Sequence, residues 1–190
     1  MINAALAHLA SQLNQSLKRE YSLAEDIVVV SNIVEPNGSV APNVSNKLVM
    51  LVANIEKDTV PQHQSSQAGS GRIAVGAQPL FLNLYVMVAA NFNGTSYPEA
   101  LKLISSAISF FQRQAVFDHQ STPDLDPRIE RLILDLENLK IQDLNNVWGL
   151  LSGKYLPSVL YKVRMITIDS AMAVDQVPTL RAPRVATHQE

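Results

Sequence analysis

The chain has 190 residues, a mass of 20.8 kDa and a hydrophobic fraction of 47%, which fits one globular domain and excludes wholesale disorder. Its formal net charge of −2 argues against nucleic acid or an anionic membrane as a partner. Because the chain has no cysteine, disulfides, thiol catalysis and cysteine-bound zinc are all excluded.

The first half of the chain alternates between helix and strand patterns. Apolar residues at helical spacing predict an amphipathic helix over residues 2–21. A β-branched run at 27–30 and an apolar run at 48–55 predict two strands, and we expect the second to be buried on both faces. The polar stretch 57–78 follows, and long loops of this kind tend to be functional or mobile.

The second half of the chain repeats the alternation. An apolar run at 80–91 predicts a third strand, and Ser96-Tyr97-Pro98-Glu99 matches a capping box at the start of a helix. Alternating leucines at 132–136 predict a strand with one face better buried than the other. Helical spacing returns at 141–151, and a last strand is predicted at 159–169.

These elements predict a single α/β (α+β) domain over residues 1–170, with a mixed β-sheet flanked by helices. Residues 171–190 show no clear period, and we expect them to form a flexible C-terminal tail. The N-terminus has no basic leader, and the most apolar stretch, 80–90, falls far short of the ~20 residues needed to span a bilayer. We therefore expect a cytoplasmic protein that does not cross a membrane.

A glycine-containing loop, Gly69–Ala74, fits a loose dinucleotide-binding pattern. That pattern binds a pyrophosphate only where a strand precedes it and a helix starts after it. Here a polar run precedes the glycines, and Gly76 and Pro79 follow them. A flexible loop is therefore the favoured interpretation, and a small nucleotide-binding domain that uses Gly69–Ala74 is the alternative.

Other chemistry-bearing residues form no recognisable constellation. Asp118, His119, Asp124 and Asp126 could bind a divalent ion, but their spacing matches no known ligand set, so an exposed acidic loop is favoured. His8 lies off the apolar stripe of the first helix, and we expect it to be a surface residue. We expect no metal, no cofactor and no enzymatic activity.

Two amides and one indole stand within apolar patterns. Asn54 and Asn83 interrupt predicted strands, and we expect hydrogen bonds of their side chains to fix strand register or to tie down a turn. Trp148 lies on the apolar stripe of a predicted helix, and we expect it in the core.

Two cations share one face of the last predicted strand. Lys162 and Arg164 stand among apolar residues, which favours either contact with an acidic partner or local pairing with Asp135 or Glu137. The residues that we expect to make intermolecular contacts are cations of this strand, of the polar stretch and of the tail: Arg72, Lys162, Arg164, Arg181 and Arg184.

Several short motifs occur in an order that is familiar. In chain order they are Val30-Ser31-Asn32-Ile33, Asn54-Ile55-Glu56, Asn83-Leu84-Tyr85 and Tyr155-Leu156-Pro157-Ser158-Val159-Leu160-Tyr161-Lys162-Val163-Arg164. From Ile2 to about Asp169 the chain resembles the cap, or tail-terminator, family of phage-tail-like contractile injection systems, of the antifeeding-prophage and virulence-cassette type. The ordered set carries the resemblance, since no single motif is diagnostic.

The resemblance implies a tail-terminator-like fold and a structural role. It implies a homo-oligomer, a hexameric ring at the end of the tube and sheath farthest from the baseplate, which stops tube growth and holds the last sheath layer. The partners would be tube and sheath subunits, directly or through a second cap protein, in a particle that cell lysis can release. A cytoplasmic adaptor that forms no ring is the other binding role that the sequence leaves open.

Overall fold

A six-stranded mixed sheet with helices on both faces forms the centre of the molecule. The computed structural model describes residues 1–58, 72–74, 81–151, 154–167 and 176–178. The α-helices of these residues are α1 (Ile2–Tyr21), α2 (Tyr97–Arg113) and α3 (Ile141–Leu150). The strands are β1 (Val28–Val30), β2 (Lys47–Lys57), β3 (Arg72–Ala74), β4 (Phe81–Asn91), β5 (Val116–Asp118), β6 (Ile129–Glu137), β7 (Ser158–Thr167) and β8 (Gln176–Pro178).

The strand order in the large sheet is β1-β2-β4-β7-β6-β5. Strand β1 runs parallel to β2, and each other neighbouring pair in this sheet is antiparallel. Strands β3 and β8 pair with each other in a separate two-stranded sheet. The predicted fold class, α/β (α+β) with a mixed sheet flanked by helices, is therefore confirmed.

Helices α1 and α2 cover one face of the large sheet. The leucines of α1 recur every three to four residues, so they come to one side of the helix, where Leu9, Leu13 and Leu17 are at most 1% exposed. Phe111 of α2 meets Phe117 of β5 edge to face, with ring centroids 6.3 Å apart. This layer contains most of the buried apolar side chains and forms the main core.

Helix α3 covers part of the opposite face. Trp148 is buried there with Val49 and Leu51 of β2, which confirms the prediction that this indole belongs to the core. Leu48 and Met50 point to the α1/α2 side instead, because successive side chains of a strand alternate between faces. Burial on both faces is therefore confirmed for residues 48–51, whereas the second half of β2, residues 54–57, is exposed.

Three short strands and one helix cap differ from the sequence prediction. The pattern predicted no strand at 72–74, 116–118 or 176–178, because three residues are too few to establish alternation. The capping-box prediction is wrong, since the Ser96 side chain makes no capping hydrogen bond. A 3₁₀ turn, Gly94–Ser96, precedes α2, so the Ser96 backbone is not in the extended conformation that a capping serine adopts.

His8 is buried, so its predicted surface position is wrong. Its imidazole stands 5.9 Å from the ring of Phe117, nearly perpendicular to it, and its Nδ1 lies 3.7 Å from Asp124 Oδ2. The residues that cover it belong to β5 and to the following loop, more than a hundred positions along the chain. The helical spacing of α1 therefore carried no sign that the buried face is wide enough to include this residue.

Two further expectations concern membrane spanning and the C-terminal tail. Among the described residues, no helix is long and apolar enough to cross a membrane. Residues 176–178 pair with 72–74 as β8 and β3. The rest of 171–190 lies outside the described residues, so the flexible tail stays a prediction.

Candidate interaction surfaces

Lys162 and Arg164 lie on the α3 side of β7, where alternation from the buried Leu160 places them. The Nε of Arg164 lies 3.1 Å from Oδ2 of Asp58, a carboxylate whose side chain is only 2% exposed. Lys162 is the register partner of Asp135 but forms no ion pair with a described residue. Of these two cations, Lys162 is therefore the one available to a partner molecule.

Local pairing with Asp135 or Glu137, one of the two interpretations left open for these cations, does not occur for Arg164. Asp135 and Glu137 lie on β6, next to β7, but Arg164 instead pairs with Asp58, just beyond the end of β2. Its side chain reaches past β4, where the small Asn83 is its register partner. Asp58 could not be found from the sequence, because only the strand order places the end of β2 within reach of β7.

The remaining predicted contact residues are only partly placed by the structure. Arg72 begins β3, where its register partner is Pro178, and Arg181 and Arg184 lie outside the described residues. Residues 72–74 form a strand, whereas the dinucleotide pattern requires a helix start after its glycines. The nucleotide-binding alternative based on Gly69–Ala74 therefore gains no support.

The acidic residues at the end of β5 and in the loop that follows stabilise turns. Asp118 Oδ1 accepts hydrogen bonds from the Ser121 N–H at 2.8 Å and the Gln120 N–H at 3.1 Å, and the bond from the Ser121 N–H is the main reason that the pKa of Asp118 is lowered. Asp126 pairs with Arg128 at 2.7 Å, and hydrogen bonds from the side chain and the backbone N–H of Arg128 lower the pKa of Asp126. Within the described ranges, no three histidine, aspartate or glutamate side chains are grouped to hold a metal ion.

The amides Asn54 and Asn83 have different surroundings. Asn54 stands at a β-bulge, where its Oδ1 accepts a hydrogen bond from the Ile55 N–H at 2.9 Å and its Nδ2 donates to Glu56 at 3.1 Å. The first of these bonds reaches the backbone of the bulge, and the second joins two side chains. Asn83 is 4% exposed, and its Oδ1 has no hydrogen-bond partner among the described residues.

A groove of 710 Å³ lies between part of α3 and the sheet, and we call it the acidic groove. Its lining consists of apolar and acidic side chains with one tyrosine and one asparagine: Ala53, Asn54, Glu56, Tyr85, Glu137, Leu139, Asp143, Val147, Leu150, Leu151 and Leu160. Tyr85 donates to Glu56 at 3.2 Å, and burial, followed by this hydrogen bond and nearby Glu137, raises the pKa of Tyr85. Glu137 and Asp143 form no hydrogen bond or ion pair with another described residue, so both carboxylates can receive a cation.

A second groove, of 760 Å³, runs between the outer sides of α1 and α2, and we call it the basic groove. Its lining consists of cations, serines, one tyrosine and one glutamate: Ser16, Arg19, Glu20, Tyr21, Lys102, Ser105, Ser106, Ser109 and Arg113. Lys102 Nζ lies 4.2 Å from the centre of the Tyr21 ring, a cation–π contact. Three cations and one carboxylate line this groove, so its net charge is positive; the carboxylate, Glu20, accepts a hydrogen bond from Ser106 at 3.0 Å.

The fold is similar to that of two solved terminators of contractile injection systems. A solved sheath/tube terminator of the PVC extracellular contractile injection system in its extended state matches 95% of this chain and 63% of its own, at 14% identity and a TM-score of 0.58. The tube-terminating cap of the anti-feeding prophage matches 96% of this chain and 61% of its own, at 12% identity and a TM-score of 0.56. The chain thus spans less than two thirds of these two structures.

The sequence assigns the family directly. The family model of the Pvc16 N-terminal domain matches residues 4–182, so the chain belongs to this family. No curated protein sequence matches the chain. The resemblance inferred from the ordered motifs is therefore confirmed.

Proposed function

We propose that this chain is a structural terminator of a contractile injection system, which ends the tube and contacts the last layer of the sheath. Membership of the Pvc16 N-terminal domain family carries this proposal, and the likeness of the fold to two solved terminators supports it. In this role the chain acts by occupying the end of a polymer, through binding surfaces and without turnover of a substrate.

The proposed assembly is a homo-oligomeric ring, hexameric like the ring that the family resemblance implies. A closed ring of identical subunits needs heterologous contacts, in which two different patches of each subunit meet. The outer faces of this molecule carry such differing patches, including the acidic groove and the basic groove. The ring would assemble in the cytoplasm with tube and sheath subunits, directly or through a second cap protein, and cell lysis would release the particle.

Removal of the gene from cells that build the injector tests this function. We expect particles with tubes of irregular length, because nothing then stops tube polymerisation, and electron microscopy of purified particles measures the length distribution. Expression of the chain from a plasmid is the matched control and should restore a narrow distribution. Tubes of uniform, normal length in cells that lack the chain would contradict the proposal.

A further inference from the structure

The strongest unassigned features are the two grooves on opposite faces of the sheet. The acidic groove has three carboxylates, Glu56, Glu137 and Asp143, and the described residues that line it include no lysine or arginine. The basic groove between α1 and α2 has three cations, and its single carboxylate already accepts a hydrogen bond. The two surfaces are therefore complementary in charge, while each would repel a second copy of itself.

Exposed apolar side chains accompany both grooves. On α3, Ile141 is 83% exposed and Leu150, which lines the acidic groove, is 86% exposed. On α2, Tyr97 is 48% exposed and Leu101 is 44% exposed, next in sequence to Lys102 of the basic groove. Protein–protein interfaces usually combine apolar and charged side chains, so both surfaces have the chemistry of a subunit contact.

We propose that the acidic groove of one copy binds the basic groove of the next copy. Arg19, Lys102 and Arg113 of one subunit then face the carboxylates beside α3 of its neighbour, and Leu101 contacts the exposed apolar side chains of α3. The contact joins two different patches, so it is heterologous and continues from copy to copy until the ring closes. This inference rests on the proposed ring and names the surfaces that build it.

Cross-linking between introduced cysteines tests the contact, since the natural chain contains no cysteine. Ser109→Cys lies in the basic groove, and Asn146→Cys lies on the exposed side of α3 between Asp143 and Leu150. A short bismaleimide is added to concentrated purified chain and to assembled particles. We expect a dimeric product when both variants are mixed and none when either variant is treated alone.

Charge reversal provides an independent measurement on the same cross-link. Glu137→Lys with Asp143→Lys in one copy, or Lys102→Glu with Arg113→Glu in the other, should each lower the cross-link yield about tenfold because like charges then meet. A mixture of the two reversed copies should restore the yield, since every contact is again between opposite charges. Glu25→Lys, at an exposed residue outside both grooves, is the control and should leave the yield unchanged.

Three results would overturn the inference: no mixed product in free chain or in particles, equal product from a single variant, or charge reversal without effect. A product from one variant alone would indicate a symmetric contact instead. Particles of normal length control that lack the mixed product would remove this interface while leaving the terminator function in place. Irregular tubes after gene removal, measured separately, decide that function.

Discussion

At the scale of single residues, Asn14 joins the first helix to the sheet. Its Nδ2 donates to the Val28 carbonyl at 2.8 Å, and its Oδ1 accepts from the N–H groups of Ile27 at 2.9 Å and Val28 at 2.8 Å. The side chain is 7% exposed, so these backbone groups have little access to water. The Asn14 side chain thus supplies hydrogen-bond partners to backbone groups at the start of β1, an edge strand that pairs with β2 on one side only.

Replacement of this amide should destabilise the fold measurably. Asn14→Ala leaves buried backbone donors and an acceptor without partners, and we expect the free energy of unfolding to fall by about 2–3 kcal/mol. Urea denaturation measures the change. Asn3→Ala, at an exposed position of the same helix, is the control and should cost less than about 0.5 kcal/mol. Equal losses in the two variants would show that the hydrogen bonds of Asn14 contribute little.

The buried His8 makes stability depend on pH. Burial lowers the pKa of His8, because the charged imidazolium is poorly solvated, and the nearby Asp124 carboxylate opposes this shift. The unfolded state therefore binds more protons than the folded state below the usual histidine pKa of about 6.5. The stability that the neutral imidazole contributes is present above that pH and is lost as the pH falls below it.

Substitution of His8 should flatten this dependence. We expect wild-type protein to lose stability between about pH 7 and about pH 5, and His8→Leu to lose less over the same range because its side chain takes up no proton. Denaturant midpoints at the two pH values measure the effect. Ser11→Ala, at an exposed position of the same helix, is the control and should follow the wild type. The same loss in His8→Leu as in wild type would assign the pH dependence to other groups.

At the scale of secondary-structure elements, β7 combines a structural cation with a free one. Arg164 pairs with the buried Asp58, whereas Lys162 has no ion-pair partner in the described part of the chain. An ion pair with one buried member is costly to break, because the buried carboxylate has little access to water. Arg164 and Lys162 lie on the same face of β7, but we expect the loss of Arg164 to destabilise the fold more than the loss of Lys162.

Charge reversal at the two positions should separate these roles. Arg164→Glu brings a second carboxylate to Asp58, and we expect the free energy of unfolding to fall by about 2 kcal/mol or more. Lys162→Glu is the matched variant and should change stability by less than about 1 kcal/mol. Thermal unfolding followed by circular dichroism compares the two. Arg164→Glu protein as stable as Lys162→Glu protein would show that the Asp58 contact is energetically unimportant.

Helix α3 shows that apolar residues at helical spacing predict a helix but do not predict which of them are buried. Ile141, Trp148 and Leu151 lie at helical spacing, which correctly predicted a helix. Trp148 is buried, yet Ile141 at one end of the stripe is 83% exposed and Leu150 beside it is 86% exposed. The apolar surface of α3 is therefore larger than the sheet surface that it covers, and the exposed Leu150 lines the acidic groove.

At the scale of the whole molecule, tertiary packing forms both grooves. The acidic groove combines Glu56 of β2, Glu137 of β6 and Asp143 of α3, which are far apart in the sequence. Neither groove has a local signature in the sequence. The acidic groove forms only when β2, β4, β7 and β6 lie side by side, and the basic groove forms only when α1 packs beside α2. Lys162 and Arg164, by contrast, could be grouped from the sequence because both belong to one strand, where alternation alone places them on the same face.

The sequence by itself determined the helices, the longer strands, the family and the absence of thiol chemistry, because periodicity, ordered motifs and composition are properties of contiguous residues. Only the tertiary structure decided the strand order, the burial of His8 and the pairing of Arg164 with Asp58. It alone also formed the two grooves of opposite charge. Each of these features depends on contacts between residues that are distant in the chain. The free energy of such contacts depends on which surfaces pack together in the folded molecule, and local sequence patterns do not contain that information.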